Sequence, residues 1–303
     1  HNAKRAAAHR EAMASDPAYR KRHSERGPRS LSIGPRKLPP WPLGPKGRVE
    51  RNFSRTCVKP GMLDELFRLR PAMAQELLLA VLIEDSPEEK RDHPINLHYG
   101  LAYDEGSYGT AYWKSPFWGW LAIDAESAIT TLLQLEAFAT SYWQQPPGSR
   151  HRRTAGLEVA LANGQRKTFV GGHEVYNWPF TNANGHGQLN SAMAALEQWL
   201  CNELDAGRAI DGVVERLLKE GQGAAILAVL ASVGRYKPDL FKGPLRPLLG
   251  TWELYVLESE RVKYHGIHFD IMPWAKGGQT TLDYARKWYF APHRVIDLAD
   301  AVL

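Results

Sequence analysis

Residues 224–233 read AAILAVLASV, a run in which Ser232 is the one polar residue. A helix that is apolar all round packs in the interior of a domain, because it has no face suited to water. Gly221 and Gly223 precede the run and indicate a turn that leads into it. The run therefore predicts an inner helix at the centre of a helical fold.

Helical spacing of apolar residues continues on both sides of this run. It is found at residues 189–204, 213–218 and 245–256, and nearer the amino terminus at residues 62–82 and 123–143. Glycine or proline residues lie between these segments and predict brief turns. Short helices joined in this way are typical of an α-solenoid, although the sequence has no repeat of fixed period.

One segment has the period of a β-strand instead. Residues 157–161 alternate apolar and smaller or polar side chains, Asn163-Gly164 supplies a turn, and residues 166–170 alternate again. This predicts a β-hairpin at about 155–171, which needs helices to support it. The predicted fold class is therefore mainly α, with solenoid-like helix pairs and one inserted hairpin.

Charge divides the chain into an arm and a body. Residues 1–60 hold 15 Lys+Arg against 4 Asp+Glu, and six prolines lie between Gly27 and Gly47. Such a composition favours an extended linker and gives the arm a field that attracts acidic partners. We expect a basic, Pro-rich arm over residues 1–59 and a helical scaffold domain over residues 60–303.

Composition narrows the class of protein further. The chain has 303 residues, 44% of them hydrophobic, which is enough for a substantial core. Cys57 and Cys201 lie far apart, so neither a disulfide framework nor a cysteine zinc site is expected. Apolar runs shorter than the roughly 18 residues that span a bilayer, and an opening without a leader pattern, indicate a cytoplasmic protein. The chain opens with His1 and closes on a helical pattern without a stop signal, so we expect it to continue beyond both ends.

Motifs for nucleotide binding and hydrolysis are absent from the sequence. GxxxxGK[ST] does not occur, since the nearest match, GGQTT at residues 277–281, lacks the lysine. GxSxG is absent as well. We therefore expect no cofactor in this segment.

Polar side chains concentrate in one loop and at one helix boundary. The loop at residues 171–187 contains acidic, basic and amide groups, and a Pro-His-Arg sequence follows Trp288. Binding groups concentrate on loops that a rigid scaffold positions. We expect a binding surface, for a protein partner or another domain of the same chain, formed by His173, Glu174, Tyr176, Trp178, His186, His293 and Arg294.

A second cluster has the chemistry of metal ligands. His265, His268 and Asp270 lie within six residues of one another and could bind a divalent transition metal. They lack the spacing of two histidines on one helix face, and Gly266 indicates a turn. A polar loop is the preferred interpretation, and a metal site is the weaker alternative.

Several packing motifs follow one another in a distinctive order: YWKSPF at 112–117, VYNW at 175–178, AALEQWL at 194–200, GRYKPDLF at 234–241 with GPL at 243–245, and Trp288 before PHR at 292–294. In this order they resemble a helical region of very large bacterial ATP-binding proteins of the STAND or NACHT-like class, over about residues 60–303. The resemblance implies that the P-loop lies outside this segment. It also implies that the helices couple sensing of a ligand or phage protein to the ATP-binding domain, or help that domain assemble. It transfers no catalytic residue.

Three functions are therefore expected in order of preference. The first is a non-catalytic sensor, scaffold or oligomerisation segment of a larger bacterial NTPase-like protein of the antiphage-defence kind. The second is an α/α-barrel hydrolase that acts on carbohydrate through carboxylates such as Asp104, Glu105, Glu136 and Glu174. The third is nucleic-acid binding through the basic arm.

Overall fold

The computed structural model describes residues 49–83, 99–102, 110–145, 152–180, 186–265 and 278–302, apart from the side chains of Arg51, Tyr264 and His265. All of these residues belong to one unit, Trp41–Leu303. Within them the chain forms fourteen α-helices, two 3-10 helices and one two-stranded antiparallel sheet. The predicted fold class, mainly α with one hairpin, is confirmed.

The elements are numbered in chain order. Five α-helices precede the hairpin: α1 (Arg51–Cys57), α2 (Asp64–Leu69), α3 (Pro71–Leu82), α4 (Pro116–Ile123) and α5 (Ala125–Gln144). The hairpin strands are β1 (Gly156–Ala160) and β2 (Arg166–Val170). Nine α-helices follow: α6 (His173–Tyr176), α7 (Gly187–Asp205), α8 (Asp211–Glu220), α9 (Ala224–Tyr236), α10 (Arg246–Leu249), α11 (Trp252–His265), α12 (Gln279–Tyr289), α13 (Pro292–Val295) and α14 (Leu298–Val302). The two 3-10 helices are Tyr112–Lys114 and Pro238–Lys242.

Helix α9 lies at the centre of the core, as its apolar sequence predicted. Every residue from 224 to 235 is buried. The helix packs against α7, α6 and α13, and α7 in turn packs against α4 and the first 3-10 helix. The core is therefore built around α7 and α9, against which the other elements pack.

The predicted hairpin is confirmed, and helices support it. In the sheet Gly156 pairs with Val170, and Leu157 pairs with Phe169. The Val170 amide donates to the Gln222 carbonyl at 2.8 Å, just before α9 begins. Lys167 Nζ donates to the carbonyls of residues 218 and 219, at 2.9 and 2.6 Å, where α8 ends. A cation at a helix carboxyl end also meets the negative end of the helix dipole.

Several boundaries differ from the sequence prediction. The single helix expected at 245–256 is divided into α10 and α11 at Gly250, because glycine is a poor helix former. The carboxy-terminal helical pattern is likewise interrupted between α13 and α14. Helix α1 lies inside the expected linker, where its last residue, Cys57, is buried. Across the described ranges, no helix combines the length and the apolar character needed to cross a membrane.

A glycine lets the second 3-10 helix approach α9 closely. A methyl group at Gly234 would overlap the ring of Phe241, which is buried. We expect Gly234→Ala to lower the free energy of unfolding by about 2 kcal/mol, as overpacking of a core does. Urea denaturation followed by tryptophan fluorescence measures this change.

Gly212 provides the matched control for this substitution. It also lies in a helix, α8, but nothing lies within 4 Å of the position that its methyl group would take. Gly212→Ala is expected to raise the free energy of unfolding by about 0.5 kcal/mol, because alanine favours the helix. Equal effects of the two substitutions would contradict the packing explanation.

Candidate functional site

The described part of the predicted binding loop, up to residue 180, contains a short helix, α6. Gly171 precedes this helix and has a φ of 117°, and Val175 packs directly against this glycine. Asn177 Nδ2 donates to the His173 carbonyl at 2.8 Å and closes the turn. His173 and Glu174 are half-buried, whereas Tyr176 has no exposed surface. The turn therefore directs Tyr176 into the core and leaves Glu174 near the solvent.

Glu174 is held by two side chains from the chain before the hairpin. Its Oε2 accepts a hydrogen bond from Trp143 Nε1 at 2.6 Å and another from Arg153 Nη1 at 3.1 Å. The Arg153 guanidinium also lies over the Trp143 ring, 4.9 Å from its centroid. The Glu174 side chain is 42% exposed. This carboxylate thus attaches α6 to the end of α5 and still reaches solvent.

Tyr176 leads into a cluster of buried charges centred on Glu258. The Tyr176 hydroxyl donates to Glu258 Oε1, and Arg235 Nη1 donates to Oε2. Arg261 donates to the same carboxylate through Nε at 3.1 Å and Nη2 at 3.0 Å. Burial alone would raise the pKa of Glu258, but Arg235 and then Arg261 outweigh it and lower that pKa. Glu258 is therefore ionised, and it connects α6, α9 and α11.

Glu197 forms a second buried centre. Its Oε2 accepts a hydrogen bond from Arg294 Nη1 at 2.6 Å, and its Oε1 accepts one from Ser232 Oγ at 2.7 Å. His293 Nε2 lies 3.3 Å from Oε1. Burial alone would raise the pKa of Glu197, but Arg294, then His293 and Ser232, lower it to about 2. This carboxylate connects α7, α9 and α13.

Arginine side chains connect the two centres through main-chain carbonyls. Arg235 Nε donates to the His293 carbonyl at 2.7 Å, and Arg261 donates to the carbonyls of residues 294 and 296. The ring of Phe180 faces three guanidinium groups at 4.9 to 5.8 Å from its centroid. The buried charge network, as we name it, consists of Tyr176, Glu197, Arg235, Glu258, Arg261 and Arg294.

The structure brings some of the seven predicted binding residues together and separates others. Tyr176, His293 and Arg294 meet at the network, whereas Glu174 bonds to Trp143 and Arg153. Trp178 and His186 are buried: the Trp178 ring centroid lies 5.0 Å from that of Tyr99, and His186 Nε2 contacts the Ala102 carbonyl. Four of the seven are interior residues in this structure: Tyr176, Trp178, His186 and Arg294. Partner binding by the set stays a prediction, and Glu174 is the carboxylate of the set.

Sequence reasoning missed the two carboxylates at the centre of the network, although a signal was present. Thr251, Leu254, Glu258 and Arg261 follow one another at helical spacing and are all buried. Glu197 likewise shares a buried face of α7 with Met193 and Leu200. A charged residue on the apolar stripe of a helix indicates a buried ion pair, because an isolated charge there is strongly unfavourable.

The predicted metal cluster lies outside the described residues. His268 and Asp270 fall in residues 266–277, and the side chain of His265 is not described. Within the described ranges, no three His, Cys, Asp or Glu side chains are grouped so that they could hold a metal ion. The metal site stays a prediction.

The carboxylates of the hydrolase hypothesis are only partly described. Asp104 and Glu105 lie outside the described residues. Glu136 has no exposed surface, and it accepts hydrogen bonds from the amides of Gln222 and Gly223 and from the Thr140 hydroxyl. Burial raises the pKa of Glu136, although these hydrogen bonds oppose the rise. Glu136 therefore fixes the turn before α9.

Comparison with known proteins does not assign the chain to a family. No protein-family model matches it, and no curated protein sequence matches it.

Proposed function

We propose that this chain is a non-catalytic scaffold segment, whose helices serve sensing or assembly in a larger bacterial NTPase-like protein. The buried charge network is the observation that supports this proposal. It connects α6, α7, α9, α11 and α13, and removal of either carboxylate would leave buried guanidiniums without a counter-ion. Such connections favour one fixed arrangement of these helices. A segment of this kind moves as a rigid body, which suits a scaffold for sensing or assembly.

The positions of the recognisable motifs also support the scaffold. The motif at 175–178 supplies Tyr176, the motif at 194–200 supplies Glu197, and the motif at 234–241 supplies Arg235. The motif at 292–294 supplies Arg294, so four motifs that are distant in sequence contribute to one network. Motifs that maintain the packing of helices are expected to meet in this way.

The two alternatives have less support from the described residues. A hydrolase needs two carboxylates that flank a sugar chain, whereas Glu136 is enclosed and Glu174 is bonded to Trp143 and Arg153. Nucleic-acid binding depends on the basic arm, of which residues 1–48 lie outside the described chain. Each alternative retains a direct test.

The test of the scaffold compares the natural polypeptide that contains this segment with the same polypeptide lacking residues 60–303. If a P-loop is present, we expect basal nucleotide hydrolysis to remain and oligomer formation or stimulated hydrolysis to be lost. Mass photometry measures oligomer formation, and phosphate release measures nucleotide hydrolysis. Basal hydrolysis shows that the ATP-binding domain is folded. Unchanged assembly and unchanged stimulation would contradict the proposal.

Two further measurements distinguish the alternatives. Cleavage of a polysaccharide by the purified chain, lost in Glu174→Gln, would support the hydrolase. DNA binding that weakens with salt and disappears when residues 1–50 are deleted would support the arm. Either result would replace the scaffold as the preferred function.

A further inference from the structure

The buried charge network has an excess of positive charge. It contains three guanidinium groups, of Arg235, Arg261 and Arg294, but two carboxylates, of Glu197 and Glu258. The side chains of all five are at most 2% exposed. Because a buried charge without a counter-ion is strongly unfavourable, a set with one surplus cation needs another source of negative charge.

Two guanidinium nitrogens in the network also have no hydrogen-bond acceptor. They are Arg235 Nη2 and Arg294 Nε, and both are shielded from solvent. The other nitrogens of these two side chains donate to Glu258, Glu197, and the carbonyls of residues 179 and 293. A buried N–H without an acceptor is unfavourable, and more so when the group is charged. Both nitrogens without an acceptor thus belong to the network that carries the surplus charge, and Arg235 is one of the two arginines that share Glu258.

Both arginines lie against the ring of Phe180. Their Cζ atoms are 5.8 and 5.3 Å from the centroid of Phe180, and Arg235 Nε bonds to the carbonyl of the residue before Arg294. Trp288 covers Arg294 at 4.2 Å. The aromatic faces stabilise the cations in part but carry no net charge.

The neighbouring titratable groups do not supply the missing charge. Burial raises the pKa of Tyr289 to about 12 and the pKa values of Tyr176 and Cys201 well above their usual range, so these groups are neutral at pH 7. His293 lies beside Glu197, and an imidazole supplies no negative charge. Among the described side chains, Glu197 and Glu258 are the only carboxylates that bond to these arginines.

We propose that the network binds a small monovalent anion, of the size of chloride, which accepts hydrogen bonds from Arg235 Nη2 and Arg294 Nε beside Phe180. One negative charge balances three guanidiniums against two carboxylates. A water molecule would accept the same hydrogen bonds but would leave the surplus charge. Because both nitrogens are shielded from solvent, a monatomic ion suits them better than the larger phosphate or carboxylate ligand.

The first test measures thermal unfolding of the full chain in sodium chloride and in sodium gluconate at constant ionic strength, which keeps screening equal. We expect a saturable rise in Tm with chloride, of roughly 3 °C when chloride exceeds its Kd about tenfold. Equal Tm values in the two salts at every ratio would overturn the proposal.

A substitution that balances the network gives the second test. Arg235→Met leaves Arg261 with Glu258 and Arg294 with Glu197, so the chloride dependence of Tm should be lost. Arg216→Met is the control, because Arg216 bonds to Glu126, Glu220 and Thr130 outside the network and should leave that dependence unchanged. A chloride response that persists in Arg235→Met would overturn the proposal.

Crystals of the unmodified protein soaked in sodium bromide test the site even if a variant does not fold. The proposal expects an anomalous bromide peak within hydrogen-bond distance of Arg235 Nη2 and Arg294 Nε. A water molecule or a carboxylate of the chain at that position, without a bromide peak, would overturn it.

Discussion

Glu258→Gln is expected to lower the free energy of unfolding by about 3–5 kcal/mol, because it leaves two buried guanidiniums without their shared counter-ion. The carboxylate accepts hydrogen bonds from Tyr176, Arg235 and Arg261, and it has no exposed surface. A glutamine keeps the shape but replaces one acceptor oxygen with an N–H group that faces donors. Urea denaturation at pH 7, followed by tryptophan fluorescence, measures the change.

The control for this substitution is an exposed pair with the same spacing. Glu65 and Arg68 lie three residues apart on α2, as Glu258 and Arg261 do on α11, and their nearest atoms are 2.6 Å apart. Their side chains are 77% and 54% exposed, so Glu65→Gln should change the free energy of unfolding by less than about 1 kcal/mol. Similar losses in the two variants would contradict the view that burial makes Glu258 important.

A double variant separates unpaired charge from lost packing. The double variant Glu258→Gln with Arg235→Met removes one of the two guanidiniums that Glu258→Gln leaves without a counter-ion. We expect part of the lost stability to return, so that the double variant is more stable than the sum of the two single effects. Simple additivity would show that the Arg235 charge does not interact with Glu258.

Local periodicity was sufficient to predict the elements that depend on neighbouring residues. The apolar run of α9 and the alternation around Asn163-Gly164 each determine a local structure, and both predictions are confirmed. The stop at Gly250 was harder to predict, because one glycine interrupts an otherwise continuous helical pattern. Helix α1 was missed since its few apolar residues resemble those of a linker.

The buried charge network could not be predicted in the same way. Glu197 and Arg294 are 97 residues apart, and Tyr176 and Glu258 are 82 apart, so no local pattern pairs them. Binding groups concentrate on loops and at helix boundaries, and this expectation placed Tyr176 and Arg294 on a binding surface. Arg294 is instead buried because the Glu197 carboxylate of another helix neutralises it. Tyr176 is buried because the Glu258 carboxylate accepts a hydrogen bond from its hydroxyl. Charged residues on apolar stripes indicate where such partners exist, but not which of them meet.

Glu197→Gln is expected to remove the part of the folding stability that the ionised Glu197 carboxylate provides and that acid would otherwise remove. The pKa of Glu197 is about 2 in the folded chain, against an ordinary value of 4.5. A carboxyl with a lowered folded-state pKa stabilises the fold only while it is ionised. Its contribution is therefore complete above pH 4.5 and is lost as the pH falls through about 2. The variant should be less stable than the parent by about 3 kcal/mol at pH 7.

Two other buried carboxyls titrate in the same experiment, and the comparison with the parent cancels them. The pKa of Glu258 is also lowered, so its contribution disappears with acid in the same direction. The pKa of Glu136 is raised by burial, so protonation of Glu136 stabilises the fold as the pH falls. Both residues are present in parent and variant, and the difference between the two unfolding curves isolates Glu197. That difference should shrink toward zero near pH 2, and a constant difference from pH 7 to pH 2 would show that Glu197 acts through packing and not through its charge.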